Sequence, residues 1–114
     1  MRRGRVELIV FENAFMNQHQ KQVVDFATQH RLPTISETKG FAEAGGLMTY
    51  GASLPALFHR AAYYVDRILK GKKPADLPVE QPWTFEFVVN LKTAQALGLT
   101  LPPHLLVFAN AIIR

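Results

Sequence analysis

The sequence contains no cysteine among its 114 residues. This absence excludes a disulfide framework, a zinc–thiolate site and catalysis by a thiol. The chain also lacks the run of about 18 apolar residues that a transmembrane helix requires, so we expect no membrane span. What is present is a hydrophobic content of 48% with 19% charged residues, which is typical of one folded globular domain.

The sequence also lacks the residue patterns that are typical of catalytic, metal-binding and nucleotide-binding sites. The histidines, His19, His30, His59 and His104, are scattered and do not form the close pairs of a metal site on one helix. Ser36 and Ser53 lie outside any Gly-x-Ser-x-Gly pattern, and the glycines form neither a dinucleotide fingerprint nor a phosphate-binding loop. We therefore predict no catalytic residue, no metal, no cofactor and no enzymatic activity.

Positive charge exceeds negative charge, with a formal net charge of +4. The excess lies near the N-terminus and at residues 70–73. The lysines there follow a predicted helix end, where positive charge interacts favourably with the helix dipole. Aromatic and basic residues are not interleaved, so we predict no nucleic-acid partner. The basic start precedes only a short apolar run and no small-residue cleavage site, so we predict no signal peptide and, for the chain as written, a cytoplasmic location.

The first half of the chain predicts a βαβ unit. Residues 5–11 are mostly apolar and β-branched, a helix capped by Asn17 runs to about His30, and residues 34–36 form a second strand. Two strands joined by a helix pair in parallel. Residues 37–46 are predicted to be irregular, with a tight turn at Gly45 and Gly46, and a third strand follows at 47–50.

The second half begins with the longest predicted helix, which Ser53 caps and Gly71 ends. Its apolar stripe is Leu54, Leu57, Phe58, Ala61, Ala62, Val65, Ile68 and Leu69, and it needs a surface to pack on. A proline-rich connector at 72–82, a strand at 84–90, a short helix capped by Asn90, a last helical turn at 104–109 and an apolar tail follow. The class is α/β with a partly parallel sheet.

Ligands in open α/β sheets bind at the carboxyl ends of the strands. Here Glu12, Asn13 and Phe15 follow the first strand, and Glu37 follows the second. An aromatic ring beside polar groups suits a small amphiphilic ligand. The spacing leaves Phe15 either a ligand contact or a core residue.

Long segments resemble the substrate-binding proteins of ABC transporters, the family that includes the tryptophan- and tyrosine-binding lipoproteins of streptococci. The similar segments are residues 31–37 (RLPTISE), 41–51 (FAEAGGLMTYG), 61–82 (AAYYVDRILKGKKPADLPVEQP) and 85–103 (FEFVVNLKTAQALGLTLPP). The resemblance implies part of a periplasmic-binding-protein type I (Venus-flytrap) fold, with a mostly parallel sheet and flanking helices. It also implies that residues 1–114 correspond to the C-terminal third of a two-lobed protein.

The resemblance further implies how the chain is divided. Residues 5–50 would be a βαβ unit of the C-terminal lobe, residues 52–71 a long helix of the N-terminal lobe, and residues 83–114 the returning segment. By position, Asn13, Phe15, Glu37, Tyr50 and Gly51 would face the cleft. The implied function is that of the periplasmic solute-binding component of an ABC importer. Such a component captures a small organic ligand, such as an amino acid or aromatic acid, and presents it to a permease.

Other interpretations remain open. A chain of this length would expose apolar faces of its sheet and long helix, so we expect a homo-oligomer, specifically a dimer. The chain could then be a truncated, self-associating α/β domain without transport activity. A small α/β enzyme or regulatory domain is a further alternative, and it would require a convergent polar cluster.

Overall fold

The computed structural model describes residues 6–114. The basic N-terminal cluster and the predicted start of the first strand at Arg5 lie outside the described residues. The strands are β1 (Leu8–Ile9), β2 (Thr34–Ser36), β3 (Met48–Ala52), β4 (Phe85–Asn90) and β5 (Ala111–Ile113). The helices are α1 (Ala14–Gln18), α2 (Gln20–Gln29), α3 (Lys39–Glu43), α4 (Leu54–Leu69), α5 (Leu91–Ala96) and α6 (Pro103–Val107), with a 3₁₀ turn at Pro74–Asp76.

The five strands form one sheet in the order β1-β2-β3-β4-β5. Pairing is parallel between β1 and β2, between β2 and β3, and between β4 and β5. The contact between β3 and β4 is antiparallel, because the Asn90 N–H donates to Leu47 and the Ser53 N–H donates to Thr84, each over 2.8 Å. The predicted α/β class with a mostly parallel sheet is confirmed.

Side chains alternate between the two faces of the sheet. Val10 is buried with Val24 of α2 and Phe41 of α3, and this cluster is the core on the helix-covered face. On the opposite face, the first three strands place Ile9, Ile35 and Met48 side by side, because these residues are paired in register. Ile9 is 65% exposed, so this second face is open near β1.

The chain divides into two compact units. One contains the residues up to Gly51 together with Glu86–Arg114, and the other contains Ala52–Phe85. The first unit carries the buried core described above. In the second unit, Ser53 caps α4 by accepting a hydrogen bond from the Ala56 N–H, as predicted, but none of the α4 residues is buried. Its apolar stripe is therefore exposed in the described chain.

Two predictions of local structure are wrong. Asn17 does not cap a helix, because the helical region begins four residues earlier, where extended Asn13 (φ −153°) accepts a hydrogen bond from the Met16 N–H. Asn17 lies inside α1 and accepts a hydrogen bond from Gln20. The segment 37–46 is not wholly irregular, because α3 forms there and buries Phe41 completely. The predicted turn at Gly45 is present, with φ at +115°.

Candidate functional site

The carboxyl ends of β1, β2 and β3 lie at one edge of the sheet, because the three strands are parallel. Ser36 is paired with Thr49, so the next residues, Glu37 and Tyr50, are neighbours at this edge. The loop after β1 brings Asn13 and Phe15 to the same end of the first unit. We call this region, defined by Asn13, Phe15, Glu37, Tyr50 and Gly51, the carboxyl edge. The structure thus collects all five predicted residues at one end of the sheet.

Gly51 is held against the backbone of Glu37. A β-carbon built on Gly51 would lie 2.2 Å from the carbonyl oxygen of Glu37, well inside van der Waals contact. Only glycine therefore permits this approach of β3 to the end of β2. The role of Gly51 in the structure is to let two backbones meet, while the Glu37 and Tyr50 side chains are exposed beside it.

The segment after β1 leads directly into helix α1, which Asn13 caps. The Asn13 side chain accepts a hydrogen bond of 2.9 Å from the Met16 N–H, so its carbonyl oxygen is occupied as a helix cap. Phe15 is 67% exposed and its ring lies 4.4 Å from that of His19, centroid to centroid. Core packing of Phe15, which the spacing left open, is therefore wrong.

Glu12 is a part of this region that the sequence reasoning did not select as a site residue. Its Oε1 atom accepts hydrogen bonds from Ser36 (3.1 Å), Thr38 (2.9 Å) and Gln20 (3.4 Å). Its Oε2 atom is buried and has no partner among the described residues. Glu12 thus joins the ends of β1 and β2 to the start of α2. Its partners lie 8 to 26 residues away along the chain, so no local pattern could have revealed the cluster.

Phe87 of β4 extends the aromatic part of the edge. Its ring meets that of Tyr50 edge to face, with 6.4 Å between the centroids. The Phe87 backbone is fixed by Asn110, which accepts a hydrogen bond from the Phe87 N–H and donates its own N–H to the Phe87 carbonyl, both at 2.7 Å. Tyr50 itself is 57% exposed. Because β4 runs antiparallel to β3, the start of β4 lies beside the end of β3. The contact between Tyr50 and Phe87 therefore depends on the pairing of two distant strands.

The second unit contains a separate polar cluster. The Arg60 guanidinium binds both carboxylate oxygens of Glu80, with 2.8 Å between Arg60 Nε and Glu80 Oε2, and lies 4.1 Å from the ring centroid of Tyr63. The hydrogen bond from Arg60 holds the pKa of Glu80 below its ordinary value, and partial burial raises the pKa of Tyr64. Arg60, Tyr64 and Glu80 line an open cavity of about 320 Å³ together with Trp83. The arrangement ties the connector to α4.

The carboxyl edge presents the side chains of Phe15, Glu37 and Tyr50 to solvent. It offers aromatic surfaces, a carboxylate and backbone groups. Among residues 6–114, no group of three or more acidic, histidine or cysteine side chains could hold a metal ion. Within the same residues, no helix is both long and apolar enough to cross a membrane.

Comparison with solved structures gives the same fold. A conserved domain protein from Vibrio cholerae superposes with a TM-score of 0.86 at 24% identity, covering 91% of this chain and 35% of that one. The ABC domain of Streptococcus pneumonia in complex with L-Trp has a TM-score of 0.84 at 28% identity, covering 92% of this chain and 36% of that one. A ligand-free, open substrate-binding protein with adhesive properties from Clostridium difficile has a TM-score of 0.64 at 23% identity, with coverages of 94% and 35%.

The chain therefore spans about a third of the length of these solved structures. The comparison with curated proteins finds no significant match. The profile of the family described as ABC transporter substrate binding protein matches residues 3–113, which is nearly the whole sequence. The resemblance stated from the sequence is thus confirmed, and the chain belongs to the ABC transporter substrate binding protein family.

Proposed function

We propose that this chain forms the C-terminal portion of the solute-binding component of an ABC importer, and that its carboxyl edge is half of the ligand site. The ligand is a small organic molecule of the amino acid or aromatic acid class. The proposal assigns a binding role and no catalytic one. A periplasmic location and a permease partner follow from this role as parts of the same proposal.

One observation supports the proposal above the others, namely the convergence of Asn13, Phe15, Glu37 and Tyr50 at the carboxyl ends of three parallel strands. Open α/β sheets bind ligands at this position. The exposed rings of Phe15 and Tyr50 offer surface for stacking, and Glu37 offers a carboxylate for a cationic group. The S. pneumonia neighbour holds L-Trp, a ligand with both an aromatic ring and an ammonium group, which is chemistry that this edge suits.

The second half of the site would come from a further lobe. The chain covers about a third of its structural neighbours, and we assign residues 5–50 and 83–114 to one lobe and the helix at 52–71 to the other. A ligand enclosed between two lobes stabilises the closed form and shifts the population towards it. The permease would then recognise that closed form.

The direct experiment is isothermal titration calorimetry of the purified chain with L-tryptophan, L-tyrosine, L-leucine and benzoate. The proposal predicts saturable binding of at least one of these compounds, weaker than in a complete protein because half of the contacts are missing. Absence of heat with all four, together with an unchanged melting temperature, would contradict the proposal and favour the truncated, self-associating alternative.

A further inference from the structure

Glu12 holds the segment around Glu37 from both sides. Its Oε1 atom accepts hydrogen bonds from the Ser36 hydroxyl (3.1 Å) and the Thr38 hydroxyl (2.9 Å), and these residues are the two chain neighbours of Glu37. The carbonyl of Glu37 in turn lies against Gly51 of β3. The position of Glu37 at the carboxyl edge is therefore fixed by one carboxylate oxygen together with one backbone contact.

The same carboxylate oxygen is connected to the helix that carries Phe15. Gln20, the first residue of α2, donates from its Nε2 atom to Glu12 Oε1 over 3.4 Å and to Oδ1 of Asn17 over 2.8 Å. Asn17 lies in α1, two residues after Phe15. Hydrogen bonds through one oxygen atom thus connect α1 with the segment around Glu37.

Glu12 acts on the edge through these neighbours, because its Oε1 atom is occupied by the three donors and its Oε2 atom is buried. Replacing Glu12 leaves most of the donors with another acceptor. The Ser36 hydroxyl keeps the Val10 carbonyl at 2.9 Å, and Gln20 keeps Asn17. Loss of the carboxylate therefore cuts the connection between the two segments at a small cost in stability, so the two effects are separable.

We infer that Glu12 is a positioning residue, which fixes Phe15 and Glu37 relative to each other before a ligand binds. The inference rests on the proposed function, in which Phe15 takes the ring of the ligand and Glu37 takes its cationic group. Side chains that are ordered in advance lose less conformational entropy on binding. A ligand that contacts both side chains gains from their fixed separation, whereas a ligand that contacts one of them does not.

Calorimetry with L-tryptophan and indole-3-propionate tests this difference, because the two compounds share the ring and only L-tryptophan has an ammonium group. For Glu12→Ala we expect about tenfold weaker binding of L-tryptophan, the cost of ordering one or two side chains on binding, and a much smaller change for indole-3-propionate. Glu12→Gln keeps an oxygen acceptor and should restore most of the affinity for L-tryptophan. An equal loss for the two compounds, or an undiminished affinity of Glu12→Ala for L-tryptophan, would overturn the inference.

NMR spectra of the ligand-free chain separate this inference from the proposed function. Glu12→Ala should shift the amide resonances of Asn17 and Glu37 together. Thr93→Val is the control, because it removes a hydrogen bond of 2.9 Å to the Gly45 carbonyl, which precedes β3 at the opposite end of the sheet, and it should leave both resonances unchanged. If the wild-type chain binds neither compound, the proposed function fails and these resonances decide the inference. Unchanged Asn17 and Glu37 resonances in Glu12→Ala would overturn it.

Discussion

Gly51 lies directly against the carbonyl oxygen of Glu37, at a separation that leaves no room for a β-carbon. This contact joins the end of β3 to the end of β2, and it sets where the exposed Tyr50 and Glu37 side chains lie. The contact therefore couples the backbone geometry of the sheet to the proposed ligand edge.

The first prediction concerns this contact. Gly51→Ala would place a methyl group 2.2 Å from the Glu37 oxygen, so the backbone must move, and we expect a loss of about 1–3 kcal/mol in the free energy of unfolding. Urea denaturation measures the loss. Gly40→Ala is the matched control, because Gly40 lies within α3 and its β-carbon would lie 3.7 Å from the flexible side chain of Gln20. That control should be neutral or slightly stabilising, and an equal loss in both variants would contradict this account of Gly51.

The second prediction concerns the aromatic surface. Tyr50→Ala should weaken the binding of an aromatic amino acid about tenfold, which corresponds to about 1.4 kcal/mol for a lost ring contact. Calorimetry with the ligand identified for the wild-type chain measures the change. Phe26→Ala, which removes an exposed ring near the end of α2, is the control and should leave the affinity unchanged. A similar loss in both variants would indicate a general effect of surface aromatics.

The third prediction concerns Glu12, whose Oε1 atom accepts three hydrogen bonds. Glu12→Ala removes this acceptor from Thr38, while the Ser36 hydroxyl keeps the Val10 carbonyl and Gln20 keeps Asn17 as acceptors, so we expect a loss of about 1 kcal/mol of stability. Glu12→Gln retains a side-chain carbonyl of the same shape and should lose less. Denaturation midpoints of the three chains give the comparison, and equal stability of Glu12→Ala and the wild type would show that the cluster contributes nothing.

The fourth prediction concerns pH. The hydrogen bond from Arg60 lowers the pKa of Glu80 below its ordinary value of 4.5. A carboxylate with a lowered pKa stabilises the folded state above its ordinary pKa, and the contribution is lost as the pH falls through the lowered value. Fluorescence of Trp83, the single tryptophan, should therefore change in a transition with its midpoint below pH 4.5. Glu80→Gln should abolish this transition, and an unchanged transition in the variant would contradict the assignment.

Local sequence signals predicted most of the elements correctly. Strand β2 has the predicted bounds, and the caps at Ser53 and Asn90 both form, because a cap depends on residues three positions apart. Asn13 and Asn17 are both acceptable caps, and the choice between them depends on the extended backbone of Asn13. Helix α3 was missed because its five residues are stabilised by burial of Phe41 and not by propensity.

The candidate site was predictable only in part. The carboxyl ends of parallel strands meet at one edge whatever the loops contain, so Asn13, Phe15 and Glu37 could be chosen because they follow the first two predicted strands. The Glu12 cluster and the contact between Tyr50 and Phe87 depend on long-range register, which no single segment encodes. The resemblance to the family supplied Tyr50 and Gly51.

The most direct test of the central claim is a titration of ¹⁵N-labelled chain with L-tryptophan, followed by amide chemical shifts in NMR. The account predicts that the amides of Asn13, Phe15, Glu37, Tyr50 and Gly51 shift together and saturate, while those near Phe26 and His30, at the far end of α2, do not change. Shifts confined to residues away from the carboxyl edge, or an absence of saturable shifts with every amino acid and aromatic acid tried, would contradict it.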